Sequence, residues 1–99
     1  MGKRKIIVRE SAVQSIAEVA WFIESKGMLA TAEKFSDAAY DAIEKLANTR
    51  VTHAVCKEAE RNSLGLKCIS FKKKYTIVFF ESVMEIIIHE FIPSKMIHW

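Results

Sequence analysis

SFKKKYTIVFFESVMEIIIHEF, Ser70–Phe91, decides how this chain folds. Lys72, Lys73 and Lys74 separate the run Leu66–Phe71 from Tyr75–Glu81, and Ser82–Val83 separate that run from Met84–Phe91. Short polar connections between β-branched and aromatic runs predict an antiparallel meander of three strands. In the middle run Tyr75, Ile77 and Phe79 point one way, and Thr76, Val78 and Phe80 the other. Both faces are therefore largely apolar. A layer of helices covers one. The second marks a partner surface unless a flanking loop or the C-terminal tail lies over it.

The residues upstream supply that helical layer. Lys5–Arg9 is short, β-branched and flanked by charge, which predicts a first strand. Ser11 with Gln14 three residues on has the pattern of a capping box. Ile16, Val19, Ala20 and Ile23 then recur at helical spacing, and Gly27 suits the left-handed position that ends such a helix. A second helix starts near Leu29 or Thr31, with Phe35, Ala39, Ala42, Ile43 and Leu46 on its apolar stripe and a stop near Asn48. Residues 49–63 read as a polar loop with room for a short helical turn. The order β-α-α-β-β-β predicts one α+β domain over residues 1–99, an antiparallel sheet packed on a helical hairpin.

Half of the residues (51%) are apolar and 27% are charged, the composition of a globular domain and not of a disordered chain. The net charge of +3 hides an uneven distribution. Residues 10–47 are acidic, whereas Lys3, Arg4, Lys5 and Arg9 precede them and seven bases, against two acids, follow between positions 50 and 75. Such asymmetry speaks to a partner more than the net value does. Cys56 and Cys68 form no CxxC motif and read as reduced thiols of a cytoplasmic protein. The run Ile6–Val8 is too short for a signal peptide or a membrane span, so no membrane role is expected.

The histidines His53, His89 and His98 have a reference pKa suited to proton transfer. No two of them stand at metal-ligand spacing, so no metal site is expected. His89 is placed on the last strand, on a face with Ile87 and Phe91, where packing explains it. Glu81, Glu85 and Glu90 flank the last hairpin, where negative charge repels a phosphate substrate, and they read as solvated positions or salt-bridge partners. The chain has no glycine-rich phosphate loop and no Ser/His/Asp constellation, and nothing in it calls for a cofactor.

The segments IIVRESAVQSIAEVAWFIESKG, TAEKFSDAAYDAIEKLA and LGLKCISFKKKYTIVFFESVMEIIIHEFIP, in that order, resemble the RelE/ParE family of bacterial type II toxins over nearly the whole chain. The resemblance rests on hydrophobic pattern and on the Tyr75-led strand followed by EIIIHEFIP. It implies a small cytoplasmic toxin that arrests growth when free and is neutralised by a cognate antitoxin wrapped over its apolar grooves. Tyr75, Ile77, Phe79 and Phe91 are the residues expected to meet that antitoxin; whether the free chain pairs as a homodimer through its apolar face is left open by the sequence.

The family divides by mechanism. RelE-like members cut mRNA at the ribosome without a metal, using Lys, Arg and often a C-terminal Tyr around the scissile phosphate. ParE-like members generally lack that set and poison DNA gyrase by binding it. Lys67 matches a strand lysine of the RelE-like site, and Arg61 lies in the loop where such enzymes often place a base. The residue after the strand tyrosine is commonly Arg in the family; here it is Thr76, which cannot give a guanidinium's two-pronged grip. Where an arginine stands near the end of the last strand in RelE-like enzymes, FIPSKMIHW offers only Lys95, and His98 or Trp99 would replace the tyrosine. The missing arginines favour a ParE-like toxin directed at DNA gyrase. The alternative is a RelE-like ribonuclease acting through Lys67, Lys95 and His98, with Arg61, Lys67, Lys72, Lys73 and Lys74 gripping the target. A non-toxic binding module of the same fold is the third reading.

Overall fold

The computed structural model describes residues 4–48 and 53–96. Its elements are β1 (Lys5–Val8), α1 (Glu10–Ser25), α2 (Leu29–Lys45), α3 (Ala59–Ser63), β2 (Lys67–Phe71), β3 (Tyr75–Glu81) and β4 (Glu85–Pro93), followed by a 3-10 turn over Ser94–Met96. The molecule is α+β, with one four-stranded sheet in the order β1-β4-β3-β2. β2, β3 and β4 form the expected antiparallel meander. β1, however, runs parallel to β4, with Ile7 opposite Ile87, so the sheet is mixed and not wholly antiparallel. The local pattern of a strand cannot reveal its direction relative to a partner eighty residues away.

Two helices lie on one face of this sheet. Ile6 and Val8 of β1, Ile77 and Phe79 of β3, and Ile86, Ile88 and Phe91 of β4 meet Ala12 and Ile16 of α1 and Phe35, Ala39 and Ile43 of α2 in the main core. Phe35 is its centre, with its ring edge-on to Phe71, Tyr75 and Phe91 at 5.7, 5.5 and 5.9 Å. Each of these contacts adds roughly 1 kcal/mol beyond the burial of the rings.

Gly27 takes φ +82° and turns the chain between α1 and α2. The start of α1 differs from expectation. The helix begins at Glu10 behind Arg9 without a side-chain cap, and the Ser11 hydroxyl donates to the carbonyl of His89 at 3.3 Å. Ser11 therefore ties the helix to β4, a use that the capping-box pattern does not reveal. The last turn of α2 is closed from outside by Arg4, whose guanidinium donates to the carbonyls of Leu46 and Asn48 at 3.0 Å each. A cation there also meets the negative end of the helix dipole.

The pairing of β3 with β4 slips between Val78 and Phe79. Val78 faces Glu90 and Phe79 faces Ile88, so His89 has no partner across the ladder. This bulge keeps Ile86, Ile88 and Phe91 all on the helical side. His89 consequently does not share a face with Phe91, as plain alternation had placed it.

The cysteines also depart from the reading as reduced thiols. Cys56 and Cys68 are joined by a disulfide, with Cα atoms 4.9 Å apart. The Cys56 N–H donates to Leu66 O at 2.9 Å, and Val55 makes an isolated antiparallel bridge with Lys67. These contacts fold the segment before α3 back along β2 and bring the two cysteines together. Cys56, Leu66 and Val78, with Cys68 and Ile92 against them, make a second, smaller core on the sheet face away from α1 and α2. The flanking segment thus covers part of that face.

Candidate functional site

The rest of the face turned away from α1 and α2 is open, and it has three zones. At one end Ile7, Ile87 and Phe80 stand in one row across β1, β4 and β3. Ile7 is 36% and Phe80 40% exposed, and Val83 and Met84 in the adjoining turn are more exposed still. This is an apolar patch without a cover among the described residues.

The middle zone is charged but internally satisfied. Arg61 Nε and Nη2 donate to the two carboxylate oxygens of Glu90 at 2.8 and 3.0 Å, and Nη1 donates to Glu58 at 3.0 Å. The fork on Glu90, above all, raises the Arg61 pKa. The Glu58 carboxylate also caps α3 by accepting from the Arg61 and Glu60 N–H groups. Those bonds, led by the Arg61 N–H, hold its pKa below the ordinary carboxylate value. His89 accepts at Nδ1 from Arg9 at 3.1 Å. Burial, and then the Arg9 charge, lower the His89 pKa, so the ring is neutral at pH 7.

At the other end Thr76, buried in β3, shares a 2.8 Å hydroxyl hydrogen bond with Ser94. Two adjoining grooves open over this pair. One, of about 480 Å³, runs along β2 and is lined by Val55, Lys57, Ser70, Lys73 and Thr76 among others. The second, of about 380 Å³, lies between Lys73, Lys74 and Tyr75 on one side and Pro93, Ser94 and Lys95 on the other. The loop Lys72–Lys74 and Lys95 are therefore brought together, because Tyr75 pairs with Pro93 and the Ser94 N–H donates to Lys74 O at 2.8 Å.

Lys67 is not part of that group. It starts β2, whereas the lysine loop follows its end, roughly 16 Å away at the usual strand rise. Its ammonium donates to the His53 carbonyl at 3.0 Å. The residues expected to meet an antitoxin lie elsewhere again. Ile77, Phe79 and Phe91 are buried under the helices, and Tyr75 packs half-buried beside them, its ring stacked on Phe91 at 5.2 Å. The open face of the sheet is the opposite one. His98 lies outside the described residues.

Sequence reasoning also missed a buried ionic cluster on the helical side. Arg4 Nη1 meets Glu81 Oε2 at 2.8 Å, and His53 Nδ1 lies 3.1 Å from the same oxygen. Burial pushes the Glu81 pKa up, but the hydrogen bonds from His53 and Arg4 outweigh it and leave the pKa lowered. The only signal in the sequence was a single acid at the end of an apolar strand. Among the described residues no three His, Cys, Asp or Glu side chains are grouped to hold a metal, and no helix is long and apolar enough to cross a membrane. Comparison with protein-family models, curated proteins and solved structures finds no match.

Proposed function

We propose that the chain is a RelE/ParE-fold toxin of a type II toxin–antitoxin system that works by binding, in the ParE-like manner, with DNA gyrase as its target and a cognate antitoxin as its neutraliser. The observation that carries this reading is the dispersal of the groups a phosphate-cleaving site needs. Arg61 is held by Glu90 and Glu58, and Lys67 by the His53 carbonyl. Thr76 is buried against Ser94 where related nucleases often have arginine. Function follows the site and not the fold. What the open face offers instead is an apolar row, Ile7–Ile87–Phe80, suited to a protein surface.

The second reading is a RelE-like ribonuclease. Its support is the convergence of Lys73, Lys74 and Lys95 on one groove, where cations bind a phosphate backbone with strong salt dependence. A non-toxic binding module is the third.

Expression of the chain alone from a tightly controlled promoter, with and without the neighbouring reading frame, tests all three. Growth arrest relieved by the neighbour, with trapped gyrase–DNA cleavage, is the expected result. Codon-linked mRNA cuts that Lys67→Ala abolishes would replace it with the nuclease, and unaffected growth would end both toxin readings. Disulfides persist mainly in oxidising compartments. The Cys56–Cys68 bond therefore calls for the same assay in a host with an oxidising cytoplasm, besides the ordinary reducing one.

A further inference from the structure

The two sulfurs of the Cys56–Cys68 bond are unequally placed. Cys56 is 1% exposed, in the smaller core beside Leu66 and Val78. Cys68 is half-buried, and both cysteines line the groove of about 480 Å³ along β2. That lining holds two cations, Lys57 and Lys73, and no acid. Both lysines are exposed, and neither has an acidic partner among the described residues. The nearby charges Arg61, Glu58 and Glu90 are paired with one another. Solvent therefore reaches the bond from the Cys68 side, through a groove of positive charge. Accessible disulfides are the labile or regulatory ones, whereas a bond walled in by core is not attacked.

Apart from the bond, the segment 54–56 is tied down sparsely. The Cys56 N–H donates to Leu66 O at 2.9 Å, and Asn62 Nδ2 donates to Cys56 O at 2.9 Å. The Cys68 N–H reaches Ala54 O only at 3.4 Å, long for such a bond. Ala54, Val55 and Lys57 are exposed, so Cys56 is the anchor of this stretch. Segments held by so few contacts open locally while the rest of a domain stays folded.

We propose that Cys56–Cys68 is a site of thiol–disulfide exchange for anionic low-molecular-weight thiols, the class of glutathione, and that exchange there releases the segment 54–56 from β2. Lys57 and Lys73 draw the thiolate into the groove, where it attacks the Cys68 sulfur. A bond forms between the two sulfurs, the Cys56–Cys68 bond breaks, and Cys56 leaves as a thiolate that takes a proton from water. A second thiolate attacks the small-molecule sulfur of this mixed disulfide, and Cys68 leaves in turn. One protein disulfide and two thiols thus become one protein dithiol and one small disulfide. Negative charge is spread over the attacking and leaving sulfurs throughout, and the two lysines stabilise it. The reverse sequence, with the small disulfide as oxidant, closes the bond again. This goes beyond the proposed growth arrest, which makes no use of the bond, and neither reading depends on the other.

The test uses the purified chain with its disulfide intact and three thiols: anionic glutathione, neutral 2-mercaptoethanol and cationic cysteamine. Each thiolate's rate with the protein is divided by its rate with an uncharged small disulfide, which removes differences in intrinsic reactivity. At low ionic strength glutathione is expected to exceed cysteamine by about tenfold, with 2-mercaptoethanol between them, and added salt to level the three. The double variant Lys57→Glu/Lys73→Glu is expected to reverse the order. Acid quenching during the reaction, followed by peptide mapping, is expected to place glutathione on Cys68. In the fully reduced protein Cys56 is expected to alkylate with an uncharged reagent at a rate that sub-denaturing urea hardly changes, the mark of local opening. Normalised rates that do not separate glutathione from cysteamine, or that the double variant leaves unchanged, overturn the proposal. So does glutathione carried on Cys56, or a reduction rate independent of thiol concentration, which would mean that the domain must unfold first. Alkylation of Cys56 that rises steeply with urea overturns the release of the segment.

Discussion

Reduction of the Cys56–Cys68 bond is the perturbation whose size follows most directly from the structure. The bond closes a loop with a sequence separation of 12. The chain-entropy relation for a loop of that length gives about 3 kcal/mol at room temperature, all of it from constraining the unfolded chain. A domain of this size is stable by roughly 5–15 kcal/mol, so the loss is a large share of the whole. At about 4–8 °C per kcal/mol, the melting temperature falls by roughly 12–24 °C. The reduced unfolded chain is also freer to expand, so the urea m-value rises. The native fold survives, because Val55–Lys67 bridging and the burial of Leu66 and Val78 do not need the bond. The assay is urea unfolding followed by circular dichroism, with and without reductant on the same protein, which avoids the packing change that replacing buried Cys56 would bring. An unchanged midpoint and m-value on reduction would refute the loop-entropy reasoning. Cysteines that alkylate in the native protein without reductant would remove its premise.

Four further perturbations test other parts of the molecule. Arg4→Met leaves the buried Glu81 with His53 alone beside it and the end of α2 without its donor, and is expected to cost about 3 kcal/mol in urea unfolding. Because the folded-state pKa of Glu81 is depressed, its contribution is present above the unfolded value of 4.5 and is lost as pH falls through the lower folded pKa. Glu81→Gln should flatten that acid limb of the stability profile. Phe80→Ser removes a side chain that is 40% exposed and outside the main core, so it should cost about 1–2 kcal/mol, too little to unfold the domain, while abolishing growth arrest if the apolar row is the target surface. Lys73→Gly relieves a left-handed residue, φ +63°, and should raise stability by about 1 kcal/mol in the same unfolding assay.

Much of the fold was legible because its signals are local. The stripe Phe35–Ala39–Ile43 and the alternation of Tyr75, Ile77 and Phe79 each report a periodicity, and both map onto the main core. What stayed hidden depends on contacts distant in sequence. The parallel direction of β1 needs Ile7 beside Ile87, and the disulfide needs the segment 54–56 laid along β2. The bulge at His89 shifts the alternation by one residue without any glycine or proline to announce it. The candidate site was less legible still. Its residue types were visible, but whether a cation is free is settled by its neighbours. Arg61, on α3, is forked onto Glu90 of β4, whereas Lys73 and Lys95 have no acidic partner among the described residues. A list of basic positions does not separate these cases.

The lysine loop sharpens this distinction. A tight hairpin with left-handed residues ordinarily uses Asn-Gly or Gly, which reach positive φ at little cost. Here Lys72 and Lys73 take φ +53° and +63°, each at a cost of about 1–2 kcal/mol. Lys72 recovers part of it, since its ammonium lies 5.6 Å from the centroid of the Phe71 ring. Lys73 has no such ring contact among the described residues. It lines both grooves, as Ser94 does, and it is the cation they share. Strain held at an uncompensated cation beside a cleft points to binding and away from mere solubility, which any polar turn would supply. Lys73→Gly then separates the two accounts, because a solubility role predicts only the gain in stability, whereas a binding role couples that gain to weaker, salt-dependent binding of a polyanion.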